Sequence, residues 1–333
     1  MTQSAQFTQL GQRSDDPPDV SARSPCVPAL ATAVGALAAL PVGIALPHRP
    51  SRQFRSTIAN AGLPVASATV TLTAFRQVVR PVPTFAIVQG VHTPARITNS
   101  MTTFLVRHPH VTFLIDPAIC DDVAQRVLPQ LPAPIRAFAT PPSDVISVRE
   151  SMEELGISPT EIAFALPTHL HWDHVSGLVD FPSMPIMSNR LEWEWATGGR
   201  RAPRGVARRA LEDRAVEHYE LDGPPVLTFE RSHDLFGDGS VVLVDMAGHT
   251  PGSVGIVLHL GEDRWALMAG DAVWHQLQVA HVRPTASFPG RLADADRRSA
   301  FRTIQRLAAA ADARITVVPT HDHDAAVPYV AAT

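Results

Sequence analysis

The segment Thr168-His169-Leu170-His171-Trp172-Asp173-His174 puts four candidate metal ligands within six residues, directly after the short apolar run 162–166 and Pro167. Neutral imidazole nitrogens and carboxylate oxygens are donors that zinc accepts readily, and manganese, iron and cobalt occupy similar sites. The apolar run has the length of a buried strand. In an extended segment His169, His171 and Asp173, spaced by two, point to one side, so one cation could collect two imidazoles from a short piece of backbone. His174 breaks the alternation, and Ser176-Gly177 supplies a turn that swings Asp173 and His174 toward a second position. Two adjacent cations suit this segment better than one. A lone histidine is more often an ordinary core or surface residue, and a short motif alone is only a hypothesis.

Three further segments repeat the design of an apolar strand that ends in a ligand. Residues 241–244 lead to Gly248-His249-Thr250-Pro251-Gly252, residues 265–268 to Gly270-Asp271, and residues 315–318 to Thr320-His321-Asp322-His323. Ligands at strand ends are held more rigidly than ligands on free loops. The ordered set H-x-H-x-D-H, G-H, G-D and a final His resembles the metallo-β-lactamase superfamily, over about residues 65 to 325.

The resemblance implies an α/β fold, a four-layer αββα sandwich with the metals at one edge of its two sheets. It implies that His169, His171 and His249 hold one metal, that Asp173, His174 and His321 hold the other, and that Asp271 bridges them. The implied cofactors are two divalent ions, zinc first, with iron, manganese or cobalt as alternatives. His321 is preferred to His323 as the last ligand because it sits closer to the strand end, which leaves His323 a supporting or structural role. Two divalent cations about 3.5–4 Å apart can share a bridging water, lower its pKa and polarise a carbonyl or phosphoryl oxygen. Asp173 and Asp271 would then be catalytic as well, orienting the bridging hydroxide, with no Ser or Cys nucleophile needed. Asp116, before Pro117, is expected either to support the metals or simply to form a turn.

The local sequences around His249 and His321 look most like those of N-acyl homoserine lactonases and their esterase relatives, so the expected partner is a small ester or lactone. Those lactonases carry a tyrosine three residues after the bridging aspartate, whereas this chain has Trp274. The segment 270–276 also looks like that of organophosphate-hydrolysing members, which makes phosphotriester or phosphodiester hydrolysis the alternative. A mononuclear-iron sulfur dioxygenase and a non-catalytic binding protein remain as further readings, the latter expected to have lost ligands. Trp193, Trp195 and Trp274 could wall a pocket, although aromatic residues at such spacing are more often core. His275, four residues after Asp271, is a candidate pocket residue.

Composition narrows the field. All 28 basic residues are arginine against 32 acidic ones, a net charge of −4 over 333 residues. Lysine Schiff-base chemistry and a Walker P-loop are thereby excluded, and no electrostatic footprint for nucleic acid exists. Cys26 and Cys120 are too far apart and too few for a disulfide framework, and Cys120 is expected to be a buried free thiol.

The elements that must position the ligands follow from residue 65 onward, with strands expected at 68–79, 85–89, 102–107, 111–115 and 162–166, then at 185–188, 226–230, 240–245, 253–260, 264–269 and from 315. Helices are expected from a cap at Ser143 or Asp144 to Leu155, after Gly177, at 190–196 and at 296–309. The arginine-rich stretch 197–217 reads as a helical cap over the site or as a solvated surface helix. Residues 1–64 read as a poorly ordered extension, polar to residue 25, with an Ala-rich apolar run at 27–46. Two prolines and two glycines in that run argue against a membrane helix. The expectation is a cytoplasmic enzyme, with export or membrane tethering through 27–46 as the alternative. Whether it forms a homo-oligomer is left open.

Overall fold

The computed structural model describes residues 29–141, 145–310 and 314–330. Two sheets account for the strands among these residues. The first, in spatial order β1 to β6, contains β1 (Thr71–Pro83), β2 (Arg96–His108), β3 (Val111–Ile115), β4 (Phe164–Leu166), β5 (Ile186–Asn189) and β6 (Val216–Tyr219). The second contains β7 (Ser232–Asp234), β8 (Val241–Asp245), β9 (Val254–Gly261), β10 (Arg264–Gly270) and β11 (Ile315–Pro319), in the order β11-β10-β9-β8-β7. Each half of the chain therefore builds one sheet.

Strand alternation decides what packs where. Phe104, Val106, Phe113, Ile115 and Leu166 of the first sheet meet Leu243, Ile256, Leu258, Ala266 and Met268 of the second in one buried cluster. The opposite side of the first sheet sends Leu105, Leu114 and Ala165 against Val148 and Met152 of the helix Val148–Glu154. The opposite side of the second sends Val242, Val257 and Leu267 against Ile304 and Leu307 of the helix Arg297–Ala309, whose N-cap is Asp296. The result is the expected mixed α/β sandwich with two inner sheets. Cys120 is a buried free thiol, and burial pushes its pKa up to about 12.

Several elements differ from expectation for local reasons. Residues 84–87 form a helical turn, Thr84–Ile87, rather than a strand, because β1 already runs to Pro83 and the connection turns back to bury Ile87 and Val88 beside Trp274. Residues 226–229 close on themselves through mutual backbone bonds, with Leu227 at φ 52°, so no strand forms there. The helix after Gly177 is a short 3-10 turn, Ser176–Asp180. Ser143 and Asp144 lie outside the described residues, and the helix they were expected to cap starts at Val148 with a capping box of Ser147 and Glu150. The stretch 197–217 is mostly loop, broken by Gly198, Gly199, Pro203 and Gly205, and its only helical piece is the turn Arg208–Ala210.

The Ala-rich run is the helix Ala29–Ala45, which packs on the helices Ser287–Ala293 and Ala133–Ala139. Its buried residues Ala33, Ala36 and Gly43 are small enough for close approach, and Ser287 Oγ donates to the Ala36 carbonyl at 2.9 Å. Residues 29–64 thus pack with the domain rather than trailing from it, while residues 1–28, including Cys26 and the start of the run, lie outside the described residues. Among the described residues no helix is long and apolar enough to cross a membrane.

Candidate metal centre

Four strands of the two sheets end at the same edge, and each delivers ligands there. His169 and His171 follow β4, with Asp173 and His174 in the one-turn helix Trp172–Val175. His249 follows β8, Asp271 follows β10 and His321 follows β11. The glycines before His249 and Asp271 are required by space. A Cβ at Gly248 (φ 140°) would meet the Ala300 backbone nitrogen at 2.2 Å, and one at Gly270 (φ 49°) would meet Thr168 Oγ1 at 2.5 Å.

All seven expected ligand residues converge, in three overlapping groups: His169, His171 and His249; Asp173, His174 and His321; and, between them, His169, His174 and Asp271. In the first, His169 Nε2 lies 3.1 Å from His171 Nδ1, which lies 2.9 Å from His249 Nε2. The three rings stand almost at right angles to one another, with interplanar angles of 81°, 84° and 89°. Nitrogens on a tetrahedral zinc at about 2.0–2.1 Å are about 3.3 Å apart, so this spacing is close to what one ion would impose. In the second, His321 Nε2 lies 3.6 Å from Asp173 Oδ2, and His174 completes the group. Asp271 faces both groups, with Oδ1 at 3.2 Å from His174 Nε2 and from His321 Nε2, and Oδ2 at 3.4 Å from His249 Nε2.

Asp271 Oδ1 and His174 Nε2 are buried without a hydrogen-bond partner, although they face each other. Buried polar atoms are nearly always satisfied, so a shared cation is the partner this geometry lacks. The donor set of imidazoles and carboxylates fits divalent zinc and its neighbours.

The outer faces of three of the rings are held in turn. His174 Nδ1 lies 2.9 Å from Asp116 Oδ2, His249 Nδ1 lies 3.0 Å from Asp294 Oδ1, and His321 Nδ1 donates to the Ser100 carbonyl at 2.8 Å. Such partners fix the tautomer and aim the Nε2 lone pair inward. Asp116 does more than make a turn. It is fully buried, accepts from the Thr168 amide at 2.7 Å, and accepts from the Thr168 and Thr320 hydroxyls at 2.9 Å, which ties the ends of β3, β4 and β11 together.

Electrostatics follow from these contacts. Burial, then neighbouring rings, holds His169 and His171 well below the ordinary imidazole pKa, so both stay neutral. For His174 burial acts downward, but Asp116 and Asp271 overcome it and raise the ring well above its usual value. His249 and His321 are raised against burial chiefly by Asp271. Asp271 itself, despite burial, is held well below the carboxylate range by His321 and His174.

Two supports carried no sequence signal. Asp294 lies in the loop before the helix Arg297–Ala309 and is also paired with Arg297 at 3.0 Å. Glu192, on the helix Arg190–Thr197, reads as a surface charge but is buried, accepting from the Leu170 amide at 2.9 Å and the Gly252 amide at 3.0 Å. It joins the loops that carry His169 and His249. His323 begins the helix His323–Ala326 and belongs to neither ligand group. His275 does not line the cavity over the site but caps its own helix, accepting from the Leu277 amide at 3.1 Å.

That cavity holds about 180 Å³. Asp173, Asp271, His171, His249 and His321 form its floor, and its walls are mainly apolar, including Ile87, Met101, Ile135, Trp274, Phe288 and Leu292. Arg80 and Asn99 are its other polar residues. Trp195 sits behind His171, with ring centroids 5.8 Å apart, and Trp193 packs with the core on that side.

Comparison with known proteins agrees with this architecture. The N-acyl homoserine lactonase AttM of Rhizobium radiobacter is 28% identical over 183 residues, 53% of this chain and 64% of that protein. A probable metallo-hydrolase of Mycobacterium tuberculosis is 35% identical over 133 residues, 38% of this chain and 41% of that protein. The chain thus spans less than two thirds of the length of these curated relatives. Among solved structures, a variant of AiiA from B. thuringiensis with N-decanoyl-L-homoserine bound at the active site matches with a TM-score of 0.56 at 15% identity, over 77% of this chain and 95% of that one. AidC, a dizinc quorum-quenching lactonase, gives a TM-score of 0.54 at 14% identity, over 78% and 92%. At such identity these likenesses concern the fold alone. Residues 99–326, more than half of the chain, match the model of the metallo-beta-lactamase superfamily, and the chain belongs to that superfamily.

Proposed function

We propose that this protein is a hydrolase that uses two divalent cations, zinc in first place, to cleave a small, largely apolar ester or lactone. The observation that carries the reading is the pair of ligand groups that Asp271 faces on the floor of an apolar cavity. His169, His171 and His249 would hold one cation, Asp173, His174 and His321 the other, with Asp271 between them. When bound, such a pair lowers the pKa of water and polarises the carbonyl under attack.

The rest is done by the chain's own residues. Ile87, Trp274, Phe288 and Leu292 take the acyl or aryl part of the substrate by apolar burial and keep bulk water from the floor. Asp173 keeps 16% of its side chain open, more than Asp271 at 4%. It would take a proton from the attacking water and return it to the leaving alkoxide. Among the described residues lining the cavity there is no Ser, Thr or Tyr, and Trp274 stands where lactonases of similar sequence carry a tyrosine, so no phenol assists the substrate oxygen. The same feature supports a second reading, in which an uncharged aryl phosphotriester fills the cavity.

Zinc-loaded protein assayed against N-acyl homoserine lactones, aryl esters and aryl phosphotriesters separates the readings. Lactone or ester turnover that a chelator abolishes and zinc restores is expected. Turnover confined to phosphotriesters would transfer the assignment to the second reading, and hydrolysis that survives full chelation would end both.

A further inference from the structure

We infer that the outer face of the helix Ala29–Ala45, with the arginines that follow it, is a docking surface for an anionic lipid bilayer. Five of the ten large hydrophobic residues exposed among the described residues lie on this helix or at its end. They are Leu30, Val34, Leu37, Val42 and Leu46, each between 51% and 76% exposed. At 100° per residue they share one broad side with Ala31, Ala38, Pro41 and Ala45, which are also exposed, while the opposite side buries Ala33, Ala36 and Gly43 against the domain. An outer face with no polar residue is unusual for a helix in water, and a contiguous patch of this kind marks an interaction site.

Charge chooses the occupant. Arg49 follows Leu46 by three residues, a reach of about 10 Å, and with Arg52, Arg55, Arg283 and His281 it lines a groove that has no carboxylate in its lining. Arg283 Nη1 donates to the His48 carbonyl at 2.6 Å, which fixes this cluster to the C-terminal end of the helix. An apolar face beside a basic cluster suits acyl chains and anionic headgroups together. Among the described residues no helix is long and apolar enough to cross a bilayer, so this one would lie in the plane of the surface.

The test is sedimentation of the full chain with phosphatidylcholine vesicles and with vesicles containing one third phosphatidylglycerol, at about 0.1 M and about 0.5 M salt. Binding to the anionic vesicles at low salt is expected, with little binding to phosphatidylcholine alone. R49Q/R52Q/R55Q should lower the partition on the order of a hundredfold, and V34D/L37D about tenfold or more, with both variants melting as the parent does. No binding to anionic vesicles, or binding that both variants retain, overturns the proposal. So does a dimer in analytical ultracentrifugation that V34D/L37D abolishes, which would name a second copy. Binding that appears only after removal of residues 1–28 overturns it as well, and would name the chain's own N-terminal segment as the occupant of the face.

Discussion

The edge that carries the ligands and the helical roof over the cavity are built on opposite rules. At the edge polar side chains are positioned by polar partners: His174 leans on Asp116, His249 on Asp294, His321 on the Ser100 carbonyl, and Glu192 clasps two ligand loops. In the roof, the helices Ser287–Ala293 and Ala133–Ala139 and the Ala-rich helix behind them rely on apolar contact and close approach of small residues. Polar networks tolerate little substitution because a lost partner strands a buried group, whereas apolar walls accept any side chain of the right size. On the proposed reading, chemistry belongs to the edge and substrate choice to the roof.

Substitutions at the edge should be the more damaging. Asp271→Ala removes the one carboxylate that faces both ligand groups, so hydrolysis should fall about a thousandfold or more and bound metal should drop in elemental analysis. Unchanged turnover would remove Asp271 from the mechanism. Asp116→Ala strands the Thr168 and Thr320 hydroxyls and the His174 ring, which should cost about 2–4 kcal/mol in urea unfolding. A loss below about 0.5 kcal/mol would show that the hub is not needed. For Asp294→Asn the effect should be confined to metal affinity, weakened about 10–100-fold by chelator competition with little change in the unfolding midpoint. The roof should yield least. Trp274→Ala is expected to raise KM for long-chain or aryl substrates about tenfold while kcat stays near the parent value, and a kcat collapse would instead place Trp274 in the chemical step.

The pH response near neutrality separates the regions again, because the histidines held well away from their ordinary value lie at the edge. The raised pKa values of His174, His249 and His321 stabilise the ion-free fold below about pH 6.5, and that contribution is lost as pH rises through the folded values. His169 and His171, held neutral by burial, act in the opposite sense. A divalent cation requires the neutral ring in every case, so the rise in Tm on adding zinc should grow from about pH 6 to about pH 8. A rise that shrinks with pH would contradict this ligand set.

The same contrast explains what could be read from the chain. The convergence of His169, His171, Asp173, His174, His249, Asp271 and His321 was legible because each follows closely on a strand, in a spacing that few other purposes produce. The alternating strands made the two sheets legible too. Asp294 and Glu192 were not, because their partners lie 45 and 22 residues away and only folding brings them together. The Ala-rich helix was visible as an apolar run, but alanine spacing does not tell a detached segment from one seated on the helix Ser287–Ala293. Gly205 in the arginine-rich stretch shows the same limit. A Cβ there would come within 2.6 Å of His171 Cδ2, a closeness that no local pattern announces.

The central claim is that two cations share this edge, and metal content per chain, measured by elemental analysis on protein dialysed after zinc loading, tests it most directly. The account predicts about two ions for the parent chain and about one each for His171→Ala and His321→Ala, one from each ligand group. A parent chain that holds no ion, or the same content in both variants as in the parent, would contradict it.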